Sequence, residues 1–170
     1  MEWRTQTEVS TFVDAAQAFC HLVAQPTAHP SWLCALLSKT LALYAAGLAL
    51  PDVTVANFAE DVEAVFSVSH EEWHNVWQQV GDALAADRWY RPMVPRIDPM
   101  GEQQEACVSD LADDLADIYR DITPGLRYWQ TGTDMGRASV IWQWRMDFAR
   151  HWGNHAVAAL GILHHLINTA

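Results

Sequence analysis

The sequence of 170 residues predicts an all-α fold, a single domain over residues 1–170 built as an antiparallel bundle of six or seven helices. Apolar residues recur at the spacing of one helix face, and prolines separate the segments that carry this pattern. No segment shows strand alternation with turn residues at both ends. With 51% hydrophobic residues, the chain can bury a core without a disulfide or a metal.

The first three helices are predicted from apolar stripes. One stripe covers residues 9–23. A second covers residues 33–48, with Ser31 as its start signal and Leu50-Pro51 as its stop signal. A third, shorter stripe covers residues 55–66.

Boundary signals are stronger in the rest of the chain. The fourth helix, over residues 69–84, begins with a capping box, in which a serine and a glutamate satisfy each other's backbone N–H groups. Several prolines predict a long loop over residues 88–101. A fifth helix is predicted over residues 109–122, and a long helical stretch over residues 134–168 that Gly153 kinks or breaks.

The charge balance and the apolar runs narrow the class of protein. There are 21 acidic and 10 basic residues, giving a net charge of −11, and Lys39 is the single lysine. A protein that binds nucleic acid needs basic groups to neutralise phosphates, so no nucleic-acid partner is expected. The N-terminus has no apolar signal segment, and the longest apolar run, 41–50, is half the length of a membrane span. We therefore expect a cytoplasmic protein without a membrane partner.

Three segments in order resemble one known family. They are residues 41–51 (LALYAAGLALP), residues 114–122 (DLADIYRDI) and residues 148–155 (FARHWGNH), the last continuing to Leu163-His164. Their combination resembles the bacterial family catalogued as domain of unknown function 5063. The resemblance implies a small all-helical protein, and it implies no activity, cofactor or catalytic residue.

An acidic row on the fifth predicted helix is a candidate metal site. Asp114, Asp117 and Asp121 fall on one helix face, and such carboxylates suit a divalent cation. His151 and His155 are four residues apart, so one helix face could present both imidazoles to a metal. The candidate metal ligands are Asp114, Asp117, Asp121 and His155.

The same acids have an alternative use in an internal ion pair. Residues 122–170 carry four arginines against two aspartates, and Arg145 stands in an apolar stripe. An unpaired buried guanidinium is costly, so Arg145 is predicted to pair with Asp114, Asp117 or Asp121 of the fifth helix, and we take Asp117 as the first choice.

The nine tryptophans divide between helix faces and loops. Trp89, Tyr90 and Trp129 stand in or beside loops, where aromatic side chains line a pocket or a protein interface, or else cover the core.

These observations leave two classes of function. The favoured one is a non-enzymatic helical-bundle protein that acts through a protein partner or as a homodimer. The alternative is a metal-dependent hydrolase, similar to a nucleotide pyrophosphohydrolase, with an acidic cleft on the fifth helix. The sequence predicts no catalytic residue and no organic cofactor, because nucleophile and phosphate-loop motifs are missing from it.

Overall fold

The structure is a computed structural model that describes residues 7–54, 66–91 and 108–169. These residues form six helices and one pair of very short strands, which confirms the all-α fold. The predicted helix over 55–66, apart from its last residue, and most of the predicted loop over 88–101 lie outside the described residues. The elements are α1 (Thr7–Val23), α2 (Pro30–Leu48), α3 (His70–Leu84), a 3₁₀ helix (Ala85–Arg88), β1 (Trp89–Tyr90), β2 (Ser109–Asp110), α4 (Leu111–Thr131), α5 (Asp134–Arg150) and α6 (Trp152–Thr169).

Helix α2 shows how the local sequence begins a helix and how packing then uses it. His29 caps its N-terminus, because Nδ1 accepts the backbone N–H of Ser31 at 3.2 Å, and Pro30 occupies the first turn. The helix packs against α1 and α6, and Leu36 and Leu43 are fully buried there. Among the described helices, α2 alone has the length and apolar composition to cross a membrane, a test that a core helix also passes.

Helix α3 begins at the predicted cap. Ser69 Oγ accepts the backbone N–H of Glu72 at 3.1 Å. The Glu72 carboxylate does not complete the capping box, because it turns to α4, where it accepts the Tyr119 hydroxyl at 2.9 Å and pairs with Arg127. These polar contacts and the buried Val80 join α3 to α4.

Helix α4 continues well beyond the predicted end at residue 122. Pro124 lies inside the helix, although a proline there costs about 3 kcal/mol or more. Burial offsets that cost, because Ile122 and Leu126 are buried on either side of it. Gly125 also lets the Trp144 indole approach, and that indole donates to the Ile122 carbonyl at 3.2 Å. Tertiary packing therefore overrides the Pro-Gly stop signal.

The last helical stretch divides at His151, two residues before the predicted point. His151 has non-helical dihedral angles, φ −137° and ψ −86°, and separates α5 from α6. Gly153 is required by close packing, since a Cβ at that position would lie 2.2 Å from the Phe148 carbonyl oxygen. The break lets α6 lie against α4 independently of the direction of α5.

The predicted pairing of Arg145 with Asp114, Asp117 or Asp121 is wrong, because no such ion pair occurs among the described residues. Arg145 is exposed, and its Nη1 donates to the backbone carbonyl oxygen of Leu50, just beyond the end of α2. Asp117 pairs with Arg120 of its own helix instead, at 3.0 Å. The reason is the break at His151, because α6, rather than the segment that carries Arg145, meets the acidic face of α4.

Helix α4 lies at the centre of the packing. It contacts α1, α3, α5 and α6, so both its apolar and its polar faces meet other helices. The fully buried apolar side chains of this helix are Leu111, Ala112, Leu115, Ala116, Ile118 and Ile122. As a result, the carboxylates beside this apolar face are enclosed by neighbouring elements.

Two glycines of α6 test the close packing at the break. Gly153→Ala forces a Cβ against backbone and should lower the free energy of unfolding by about 1–3 kcal/mol. Gly161→Ala is the matched control, because nothing lies within 4 Å of the new Cβ, and the better helix propensity should raise stability by up to about 1 kcal/mol. Urea denaturation of both variants measures the difference. Equal effects would contradict the packing argument.

Candidate metal centre

A row of carboxylates on α4 faces the junction between α5 and α6. Asp114, Asp117 and Asp121 recur at helical spacing, and their side chains are 10%, 12% and 15% exposed. His151 lies at the junction itself and His155 lies in the first turns of α6. The two histidine rings lie edge to face with centroids 4.7 Å apart. The fold therefore brings three acids and two imidazoles together.

Each histidine is held by its own carboxylate through the same ring atom. Nδ1 of His155 lies 2.7 Å from Asp114 Oδ1, and Nδ1 of His151 lies 2.6 Å from Asp121 Oδ2. An ionised carboxylate can only accept a hydrogen bond, so Nδ1 carries the proton in both rings. In the neutral form, the lone pair of each imidazole is therefore on Nε2.

Both Nε2 atoms converge on Asp117. Asp117 Oδ2 lies 3.6 Å from Nε2 of His155 and 4.0 Å from Nε2 of His151. Ligand atoms of these three residues all lie within 4.8 Å of one another. This spacing allows one metal ion to contact all three, and no other group of this kind occurs among the described residues.

The other oxygen of Asp117 is already occupied. Oδ1 accepts the Trp73 indole N–H at 2.9 Å, and it lies 3.0 Å from Nη2 of Arg120. Trp73 comes from α3, so this contact also ties α3 to the site. The two donors orient the carboxylate and leave Oδ2 directed at the histidines.

Asp114 has a second partner from outside the helices. The Tyr90 hydroxyl donates to Asp114 Oδ2 at 2.5 Å, so this carboxylate joins a phenol to an imidazole. Tyr90 belongs to β1, which pairs with β2 in the register Tyr90 opposite Ser109. The short strand pair thus positions one support of the site.

Negative charge is in excess around the cluster. Burial, followed by the charges of Asp117 and Asp114, raises the pKa of Asp113. Burial also raises the pKa of Asp121 by more than its hydrogen bond with His151 lowers it. The hydrogen bond that His155 donates to Asp114 raises the pKa of His155 above the usual 6.5, although burial acts in the opposite direction. Each of these three shifts favours the protonated form of its group.

A neighbouring acid, at the N-cap of α4, has a structural role. Asp110 caps α4 by accepting the N–H of Ala112, and it also accepts the Trp77 indole at 2.9 Å and pairs with Arg88. Arg88 lies over the Trp77 ring at 4.6 Å. These contacts attach the segment before β1 to α4.

The four residues predicted as metal ligands have two different roles in the structure. Asp117 and His155 belong to the converging group, whereas Asp114 and Asp121 stand behind the two histidines as hydrogen-bond partners. His151, whose spacing from His155 is visible in the sequence, is the third member and was missing from the predicted ligand set. Its place depends on the helix break, which spacing alone does not reveal.

The three aromatic residues predicted at a pocket or interface lie in three different surroundings. The Tyr90 hydroxyl binds Asp114 at the cluster, and Trp129 packs against Trp144 with ring centroids 5.8 Å apart. Trp89 is 57% exposed, with the Arg88 guanidinium 4.7 Å from its ring centre. Of the three, Trp89 retains the exposure that an interface residue needs.

Comparison with known proteins gives a family and a fold. A family model described as "Domain of unknown function (DUF5063)" matches residues 4–169, as the sequence motifs predict. The chain is similar to the crystal structure of protein BF1032 from Bacteroides fragilis, a structural genomics target, with 20% sequence identity and a TM-score of 0.77. That likeness covers 95% of this chain and 92% of the other, and it shows a shared fold. No curated protein matches the sequence.

The His155–Asp114 pair predicts how the stability of the metal-free protein depends on pH. Since the folded pKa of His155 is raised above 6.5, this stabilisation is fully present below pH 6.5 and is lost as pH rises through the higher folded value. Urea denaturation in EDTA from pH 6 to 9 measures it. In His155→Gln this part of the pH dependence should disappear, and identical profiles for the two proteins would contradict the assignment.

Proposed function

Since the chain belongs to the family described as domain of unknown function (DUF5063), and that description assigns no activity, we propose a function from geometry: a hydrolytic centre for one divalent transition-metal ion. The ion is held by Asp117 Oδ2 and by Nε2 of His151 and of His155. Asp114 and Asp121 orient the two imidazoles from behind.

One observation carries this proposal. Both histidines direct Nδ1 to a carboxylate and Nε2 towards a shared third carboxylate. Histidines that bind metals almost always donate their second ring N–H to a carboxylate, a carbonyl or water, because that contact fixes the tautomer and strengthens the donor. A simple ion-pair network needs one such contact per histidine and gives no reason for both Nε2 atoms to meet.

The donor set narrows the choice of metal. Two imidazoles and one carboxylate suit Zn²⁺ and the neighbouring transition metals, whereas Mg²⁺ prefers oxygen ligands. A pyrophosphohydrolase with magnesium held by carboxylates therefore fits this cluster less well than a zinc-type centre does. The hydrolase alternative from the sequence is thus retained, with Asp117 and His155 as ligands and with His151 in place of Asp114 and Asp121.

Exposure favours catalysis over a purely structural role. Structural zinc sites close four protein ligands around the ion, whereas catalytic sites use three and leave a position for water or substrate. The described residues supply three ligands, and the His151 side chain is 43% exposed. A bound ion of this type polarises a substrate oxygen and lowers the pKa of a water molecule.

The protein's own groups would hold this arrangement in place. Trp73 and Arg120 hold Asp117 through Oδ1, so Oδ2 stays directed at the histidines. Tyr90 fixes Asp114 and so the ring of His155. Because these supports come from α3, α4 and β1, the centre is assembled by tertiary packing.

A second candidate function is supported by the exposed surface near β1. Trp89 and Val108 are 57% and 61% exposed beside the strand pair. Exposed tryptophan often carries binding energy in protein interfaces. This surface is our proposal for contact with a protein partner or a second copy of the chain, and it is compatible with the metal centre.

Metal binding is the direct test. Isothermal titration should show one Zn²⁺ per chain, and His151→Gln, His155→Gln and Asp117→Asn should each weaken binding at least about 100-fold. Excess Mg²⁺ should not compete. His165 is an exposed histidine of α6. The His165→Gln variant is therefore the matched control and should bind Zn²⁺ as the wild type does.

The supporting carboxylates give a graded result in the same titration. Asp121→Asn should weaken Zn²⁺ binding by about 10- to 100-fold, since it removes the negative charge of the group that accepts His151 Nδ1–H and leaves the three ligands in place. Asp82→Asn, on the exposed face of α3, should have no effect. A wild-type protein that binds no Zn²⁺ would overturn the proposed centre.

Hydrolytic use of the metal has its own assay. The zinc-loaded protein should hydrolyse an activated ester such as p-nitrophenyl acetate, EDTA should abolish the reaction, and added Zn²⁺ should restore it. His151→Gln should be inactive while its circular dichroism stays that of the wild type. Turnover that survives both EDTA and His151→Gln would refute the hydrolytic role.

A further inference from the structure

The solvent-facing edge of the metal centre is formed by a histidine and an arginine. The side chains of His151 and Arg120 are 43% and 41% exposed. The supporting acids are turned inward, since Asp114 and Asp121 are 10% and 15% exposed and lie behind the imidazoles. A molecule that approaches from solvent therefore meets a metal ligand and a guanidinium before it meets those carboxylates.

The Arg120 guanidinium is held at this edge. Nη2 contacts Asp117 Oδ1 at 3.0 Å, and Nε is 3.9 Å from Asp121 Oδ1. The guanidinium carbon lies 5.7 Å from the centre of the Trp73 ring. The guanidinium thus contacts two carboxylates of the site and one aromatic ring, and these contacts restrict its position.

Only part of the hydrogen-bonding capacity of Arg120 is used by these contacts. A guanidinium has five N–H donors in a planar fork that matches a carboxylate or phosphate group. The contact with Asp117 is through one amino nitrogen, and the contact with Asp121 is longer than a hydrogen bond. Donors on the exposed side of the fork remain free of these two acids.

Arg120 and the converging ligand atoms share one carboxylate. Asp117 presents Oδ1 to Arg120 and Oδ2 to the histidines, so the guanidinium and the metal position flank the same side chain. A group with two or three oxygens on one atom can reach both positions, with one oxygen on the metal and another on Arg120.

We propose that the metal centre takes a substrate that carries an oxyanion group, a carboxylate or a phosphate, and that Arg120 binds this group beside the metal. This inference rests on the proposed metal centre and adds the chemical class of its substrate. Arg120 then has two roles, orienting Asp117 and recognising the substrate, and an experiment must separate them.

The experiment uses the full chain loaded with Co²⁺, whose visible bands respond to new ligands. Inorganic phosphate, acetate and neutral imidazole are titrated separately, and an apparent Kd is taken for each. Phosphate or acetate, or both, should change the bands, and Arg120→Gln should weaken that anion at least tenfold. Imidazole should bind equally to both proteins, because it needs the metal and not the arginine.

Two further variants serve as controls. Arg120→Lys keeps the charge without the planar fork and should recover part of the anion affinity. Arg137 lies on α5, beside Asp134 of the same helix and Trp129 of α4. The Arg137→Gln variant should therefore bind anions as the wild type does. The cobalt bands before any anion is added report whether each variant still holds the metal.

The outcomes distinguish the two proposals. A wild-type chain without cobalt bands overturns the metal centre and the substrate class with it. Cobalt bands that are present, together with anion affinity that Arg120→Gln leaves unchanged, overturn the substrate class alone. An equal loss of imidazole and anion binding in Arg120→Gln shows that the arginine only positions Asp117, which also overturns it. If phosphate binds and acetate does not, the substrate group is a phosphate, and the reverse result identifies a carboxylate.

Discussion

The enclosure of three carboxylates, Asp114, Asp117 and Asp121, along one side of α4 is the constraint on which the rest of the structure depends. A buried charge is costly unless hydrogen bonds satisfy it, so each acid must receive donors from the elements around it. Asp114 and Asp117 show how this is met, with a tyrosine and a histidine on the first and a tryptophan and an arginine on the second. The donors belong to α3, β1, α4 itself, the α5–α6 junction and α6.

This arrangement is difficult to explain by stability alone. Buried ion pairs can often be replaced by apolar residues of similar volume without loss, and sometimes with a gain of about 1–4 kcal/mol. Helix α4 already has a fully buried apolar face that includes Leu115 and Ile118. An acidic row kept beside such a face is more readily explained by a task that needs the charge. Two imidazoles that converge on the central acid fit the proposed cation site.

The cluster also explains the irregular features of the chain. The break at His151 allows α6 to turn towards α4 and places one imidazole at the junction. Gly153 admits the close contact that this turn requires. The pair of short strands brings Tyr90 to Asp114. The irregular segments therefore support the site, while the regular helices supply the core.

The sequence by itself determined the helices and the face that each acid occupies. Periodicity and capping are local properties, so α1, α2, the start of α3 and the row Asp114, Asp117 and Asp121 could all be predicted from spacing. Tertiary structure decided which groups meet that row. Spacing orders residues along one helix and carries no information about its neighbours. Packing therefore decided that His151 joins the cluster, that Arg145 donates to the Leu50 carbonyl and that α4 continues past Pro124.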